Sequence, residues 1–234
     1  MSSLIGTNNI VTDGLATYLD AANVNSYSGS GTSWNDLSGY KNNGSLVNNP
    51  TFSSTNSGCF LFDGVDDYVS IANSSSSNFA ANNFAVELWF KVNSIPSNNP
   101  RIFKTTNDNN VSGISMTVAN ANFITLFMSS NGSSYDLFNT VNIGTINIGT
   151  YNNLVLTRIG TSIYSYINNS LLYTGSIGTS SVYYNAGANI GIGGTAGVAR
   201  TISGAIAIFK MYYNKGLTAS EVSKNYNAVK GRFL

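Results

Sequence analysis

Three aspartates fall within five positions of the stretch FDGVDDYVSI, at Asp63, Asp66 and Asp67, in a chain that holds only ten acidic residues. Carboxylates at this spacing could do three kinds of chemistry. Clustered, and joined by loop carbonyls, they supply the six to eight oxygens that a hard cation such as Ca²⁺ takes. As a pair across a scissile bond, they act as acid and base or nucleophile in glycoside hydrolysis. Beside a glycine, an aspartate also accepts backbone amide hydrogens in a tight turn, a role in folding alone. The residues themselves leave all three open.

The rest of the reactive inventory is short. With no histidine in the chain, Ser-His-Asp and Cys-His arrangements, imidazole zinc sites and histidine bases are excluded. Cys59 is the single cysteine, so no intrachain disulfide forms, and its apolar setting CFLF reads as a buried, inert thiol rather than a nucleophile. Glu87 and Glu221 are the only glutamates. Glu221 follows Thr218 by three residues, the capping-box spacing at a helix start, and Glu87 lies mid-strand. Two such distant glutamates give little support to paired-carboxylate hydrolysis, and we expect no enzyme. GIGGTAG, from Gly191 to Gly197, nearly satisfies the dinucleotide glycine pattern. It runs into the β-like VARTISGAIAIF instead of a helix, so it reads as a loop of tight turns. The N-x-S/T triplets at Asn43, Asn73, Asn110, Asn131 and Asn168 are what a chain with 35 asparagines yields by chance, and glycosylation is given little weight.

The elements that must position these groups are mostly strands. A chain of 234 residues, 42% hydrophobic and 12% aromatic, buries a substantial core. A net charge of +1 with 9% charged residues gives no field for phosphates or anionic lipids, so neither nucleic acid nor a membrane is expected as a partner. No apolar run approaches the ~18 residues that cross a bilayer. The first twenty residues lack a basic start and an apolar run, so no signal peptide is read and synthesis in a cytoplasm is expected. FAVELWFKV, from Phe84 to Val92, alternates with period two and predicts a strand with Phe84, Val86, Leu88, Phe90 and Val92 in the core. From Leu154, LVLTRIGTSIYSYINNSLLYTG predicts three strands with turns at Gly160-Thr161 and Asn168-Asn169. Thr201 to Tyr213 predicts another long strand. LTASEVSKNYNAV, capped at Thr218, predicts one helix near the C-terminal end. Short strands with turn residues at regular spacing make an all-β antiparallel sandwich. Lacking a dividing linker, residues 14–234 read as one domain behind an N-terminal arm, residues 1–13.

Several of these segments occur in a familiar order. GLATYLDAANVNSYSGSGTSWNDLSG, FLFDGVDDYVSI, FAVELWFKV, NNLVLTRIGTSIYSYINNSLL and ISGAIAIFKMYYNKGLTASEVSKNYNAVKGRF resemble the landmarks of a concanavalin A-like, laminin-G-like jelly-roll domain. The resemblance runs from about Gly14 to Phe233. The LDAAN and W-x-DLSG openings and the NYNAVKGRF ending are similar to copies found in structural proteins of tailed bacteriophages.

The resemblance implies that FDG closes one strand and turns into the next, which explains the aspartates by turn chemistry. Many relatives carry a structural calcium. The family often adds an aspartate in a G-x-I-D pattern, where this chain reads Gly204-Ala205-Ile206-Ala207, so a metal is not favoured and no cofactor is expected. Asp63, Asp66 and Asp67 remain the candidates if one binds. The resemblance also implies binding rather than catalysis. A sugar site stacks an aromatic ring on a pyranose face and satisfies hydroxyls with amides and carboxylates, groups that Trp34, Asn35 and Asp36 offer together, with Tyr183 and Tyr184 as a second candidate. The alternative for Trp34 is a place in the core. The expected role is a virion structural protein on the particle exterior, a decoration or cement subunit. Its partners would be the major capsid protein or tail and further copies of itself. A carbohydrate-binding adhesin that recognises host glycans is the alternative.

Overall fold

The computed structural model describes residues 10–95, 98–106, 111–197 and 200–234. In chain order its strands are β1 (Leu15–Asp20), β2 (Ser33–Trp34), β3 (Gly44–Val47), β4 (Thr51–Ser53), β5 (Cys59–Asp63), β6 (Tyr68–Ala72), β7 (Phe84–Ser94) and β8 (Arg101–Lys104). These are followed by β9 (Ile114–Ala119), β10 (Phe123–Met128), β11 (Phe138–Thr145), β12 (Tyr151–Ile159), β13 (Ser162–Ile167), β14 (Ser170–Ser176), β15 (Asn189–Ile192) and β16 (Ser203–Tyr213). One α-helix among the described residues, α1 (Ala219–Val229), comes next.

The strands form two antiparallel sheets, the sandwich that the alternating pattern predicts. One sheet runs β14-β13-β12-β7-β16-β5-β4, with β1 also beside β16, and the other runs β11-β10-β9-β8-β15-β6-β3-β2. Turn chemistry sets the meander at the edge of the first sheet. Asn168 and Asn169 take φ of 50° and 68°, the paired positive values of a type I′ hairpin, and they hold Ile167 opposite Ser170.

Phe84, Val86, Leu88, Phe90 and Val92 of β7 join the core between the sheets, as the alternation predicts. The other face of β7 is buried too. Ala85 and Trp89 belong to a second core, together with Ile208, Tyr212, Val222 and Val229. A third layer therefore covers the first sheet: α1 and the segment around Ile10. The helix starts as its sequence predicts, with the Thr218 amide donating to Glu221 Oε2 at 2.9 Å and the Glu221 amide returning to Thr218 Oγ1 at 3.4 Å.

Under that layer lies a buried polar network. Lys210 Nζ and Glu87 Oε1 stand 3.0 Å apart with both side chains wholly inaccessible. Asn225 Nδ2 donates to Glu87 Oε2 at 2.7 Å. Of the expected N-terminal arm, residues 1–9 lie outside the described residues. Ile10 and Val11 are packed into the second core, and the Val11 amide donates to Asn225 Oδ1 at 2.8 Å. Cys59 is buried and unpaired. No helix among the described residues is long and apolar enough to cross a membrane.

Candidate functional site

The aspartate cluster forms a turn between β5 and β6. The Val65 amide donates to Asp63 Oδ1 at 2.8 Å, and the Asp63 amide donates to Asp67 Oδ2 at 3.1 Å. Asp67 is buried while Asp63 and Asp66 are exposed, and their oxygens lie within 4.8 Å of one another. Burial pushes the Asp67 carboxyl above its ordinary value; the Asp63 amide opposes this, and the nearby Asp63 and Asp66 charges reinforce it. Two of the six carboxylate oxygens thus already accept amide hydrogens. A Ca²⁺ held here would need loop carbonyls or water to complete its six to eight oxygens. Ala207, at the G-x-I-D position, is packed in the second core and adds no ligand.

Trp34 does not present a face to a sugar. It is fully buried, with its ring edge-on to Phe60 at a centroid distance of 4.9 Å, and so takes the core place that was its alternative. Apolar burial of so large a ring outweighs exposure for stacking. Asn35 is exposed and its Oδ1 accepts from Ser33 Oγ at 2.8 Å. Asp36 is occupied by folding: Oδ1 accepts from the amides of Tyr18 and Ser38, both at 2.8 Å. Its Oδ2 accepts from Ser38 Oγ at 2.7 Å and from the Asn42 amide at 2.9 Å.

Tyr183 and Tyr184 are half-buried. A Cβ on Gly132 would stand 2.4 Å from the Tyr183 ring, so glycine there lets the ring lie on the backbone. The Tyr184 hydroxyl donates to the Ser74 carbonyl at 3.0 Å, and Ser74 Oγ donates to Asn42 Oδ1 at 3.0 Å. The structure thus links Asp36 and Tyr184 through Asn42 and Ser74, in a network that ties loops together.

A different aromatic residue lines an open groove. On β6, Val69 and Ile71 enter the core, so Tyr68 and Ser70 face outward. On β15, Ile190 and Ile192 enter the core, so Asn189 and Gly191 face outward beside them. A Cβ on Gly191 would meet the Gly194 carbonyl at 2.3 Å and Thr195 Cγ2 at 2.4 Å. Glycine therefore allows residues 193–197 to fold back as a wall. A hollow of about 140 Å³ lies along Tyr68, Ser70, Asn189 and Thr195. A second, of about 370 Å³, lies along Asn48, Asp66, Tyr68 and Thr195. They share Tyr68, Thr195 and Ala196 and form one groove on the outer face of the second sheet.

The groove has the chemistry of a polyhydroxyl binder. Tyr68 is half-buried, and burial raises its phenol above the usual value, so it stays neutral. Asn189 Nδ2 donates to Ser70 Oγ at 3.1 Å, and both residues line the groove. Asn48 Nδ2 donates to the Asp66 carbonyl at 3.0 Å. Thr195 is 4% exposed, and its hydroxyl has no hydrogen-bond partner. Its oxygen is shut off from the groove surface, so Thr195 shapes the wall and is not itself a contact for a ligand. The sequence reading missed Tyr68 and Asn189, although the alternation in DYVSI already turns Tyr68 outward.

A family model described as concanavalin A-like lectin/glucanases superfamily matches residues 63–223. The chain belongs to this superfamily. No curated protein matches it in sequence. Among solved structures, the binding domain of Paraclostridial Mosquitocidal Protein 1 is similar, with a TM-score of 0.70 at 17% identity, covering 93% of this chain and 52% of that one. The binding domain of botulinum neurotoxin DC is similar in its complex with rat synaptotagmin II, with a TM-score of 0.71 at 18% identity over 94% of this chain and 52% of that one. In its complex with SialylT the values are 0.69 and 17%, over 93% and 52%. Trypanosoma rangeli sialidase in complex with the inhibitor DANA gives 0.67 at 14% identity, over 93% of this chain and 33% of that one. The chain thus spans a third to half of these proteins, and the likeness is one of fold.

Proposed function

We propose that this lectin-like domain binds glycans without acting on them, and that the Tyr68 groove is the binding site. The observation that carries this reading is the groove's composition: one half-buried tyrosine ring flanked by Asn48, Ser70 and Asn189. An aromatic ring with a few placed polar groups is how a mostly preformed site recognises a sugar. The neurotoxin domain solved with SialylT supports a saccharide ligand for this fold. Both glutamates are engaged elsewhere, Glu87 with Lys210 and Glu221 in the helix cap, which supports a non-catalytic role. The reading requires no metal or other cofactor. Affinity electrophoresis through a panel of polysaccharides tests it: at least one should retard the protein, and Tyr68→Ala should abolish the retardation. Retardation undiminished in Tyr68→Ala would remove the groove as the site, and release of reducing ends from the retarding polysaccharide would remove the non-catalytic reading.

We further place the domain on the exterior of a bacteriophage virion, as a decoration subunit or tail adhesin joined to capsid or tail proteins and to its own copies. The support is the phage-like pattern of its opening and ending segments, together with a surface built from asparagine, serine and threonine with few charges. Quantitative mass spectrometry of purified virions tests this. Hundreds of copies indicate decoration, a handful indicate a tail adhesin, and none ends the virion reading.

A further inference from the structure

We infer that the Tyr68 groove selects saccharides that are uncharged or carry an amine and excludes those that carry a carboxylate, with Asp66 as the residue that sets this preference. The inference rests on the groove being a glycan site. Asp66 lines the wider hollow, is exposed, and has Asp63 and Asp67 oxygens within 4.8 Å. No ion pair joins any of the three among the described residues. Neither hollow has a lysine or arginine among its described lining residues. The groove therefore carries uncompensated negative charge at the end lined by Asn48, Asp66 and Tyr68.

The consequence is electrostatic. Like charges about 4 Å apart at a wet surface repel enough to weaken binding about fivefold, and more where the ligand displaces water. An ammonium group in the same place is attracted by the same field. The discrimination comes from charge at the surface, so it must shrink with ionic strength, as the Debye length falls from about 30 Å at 0.01 M to about 3 Å at 1 M salt. A shape-based preference would not respond to salt.

The test compares N-acetylated chito-oligosaccharide, its deacetylated amine form and an oligo-uronate of equal length. Binding to the full chain is measured by calorimetry in a chelator, so that no bridging cation masks the repulsion. We expect the uronate to bind at least about fivefold more weakly than the other two at 0.01 M salt. The gap should close towards 1 M salt and narrow in Asp66→Asn. Uronate binding equal to or tighter than the others, or a gap that neither salt nor Asp66→Asn changes, overturns the inference while leaving a glycan site in place. Binding of none of these, with no retardation by any polysaccharide in the panel, overturns the glycan reading itself. Asp66→Asn is on an exposed turn and keeps the backbone carbonyl that Asn48 uses, so loss of folding does not confound the comparison.

Discussion

Replacing Lys210 with methionine should be one of the most damaging conservative changes in this protein. Lys210 and Glu87 sit on neighbouring central strands, paired across β16 and β7. Their charged atoms are 3.0 Å apart and wholly inaccessible. Methionine keeps the length and apolar character of the lysine stem but removes the ammonium group. Glu87 is then left as a buried carboxylate whose remaining donors are neutral amides, from Asn225 at 2.7 Å and Asn153 at 3.3 Å. Breaking a buried pair in this way costs about 3–5 kcal/mol, because the surviving charge is uncompensated. For a chain of this size that lowers Tm by about 6–20 °C. The double variant Glu87→Gln with Lys210→Met removes both charges and keeps an acceptor for Asn225, so it should recover most of the loss, to within about 2 kcal/mol of the parent. Urea unfolding followed by tryptophan emission reads each corner of the cycle. A Lys210→Met cost below about 1 kcal/mol, or additive single and double variants, would refute the claim that the two charges neutralise each other.

Two other outcomes are expected. Burial opposes ionisation of Glu221, but the Lys215 ammonium and the Thr218 amide and hydroxyl outweigh it and hold the carboxyl below its ordinary value of 4.5. Its contribution is therefore present above that value and lost as pH falls through the lower folded one. Glu221→Gln should cost about 0.5–1 kcal/mol at pH 7 and almost nothing near pH 2, measured by urea midpoints at both pH values. Trp34 and Trp89 are both fully buried, so saturating saccharide should leave tryptophan emission unchanged. Quenching or a spectral shift on binding would place the ligand at an indole and away from Tyr68.

The sandwich was legible because its signals are local. Alternation in FAVELWFKV and paired asparagines at 168 and 169 each specify a strand or a hairpin within a few residues. What the sequence left open depends on distant partners. Glu87 reads only as a mid-strand carboxylate until β16 and α1 bring Lys210 and Asn225 to it from 123 and 138 residues away. Arg158 is buried and spends its donors on the carbonyls of Gly160, Ser180 and Gly178 at 2.8–3.1 Å, partners that its place in β12 does not reveal. Trp34 carries the chemistry of sugar stacking in either place, and only the packing against Phe60 settles that it is core. Tyr68 was already turned outward by alternation. Its groove was not legible, because the wall arises when the glycine-rich segment after β15 folds back over Gly191.

The position of β16 has a consequence for biosynthesis. This strand pairs with β7 along one edge and with β5 and β1 along the other, yet it is the last strand of the sheet to leave a ribosome. Until residue 203 emerges, β7 on one side and β1 and β5 on the other have no common neighbour, and their bare edges face solvent beside unburied aromatic rings. Such late, long-range closure slows folding and exposes edges that recruit other chains. A translation product arrested before β16 should therefore be a chaperone client and a seed for aggregation rather than a smaller sandwich.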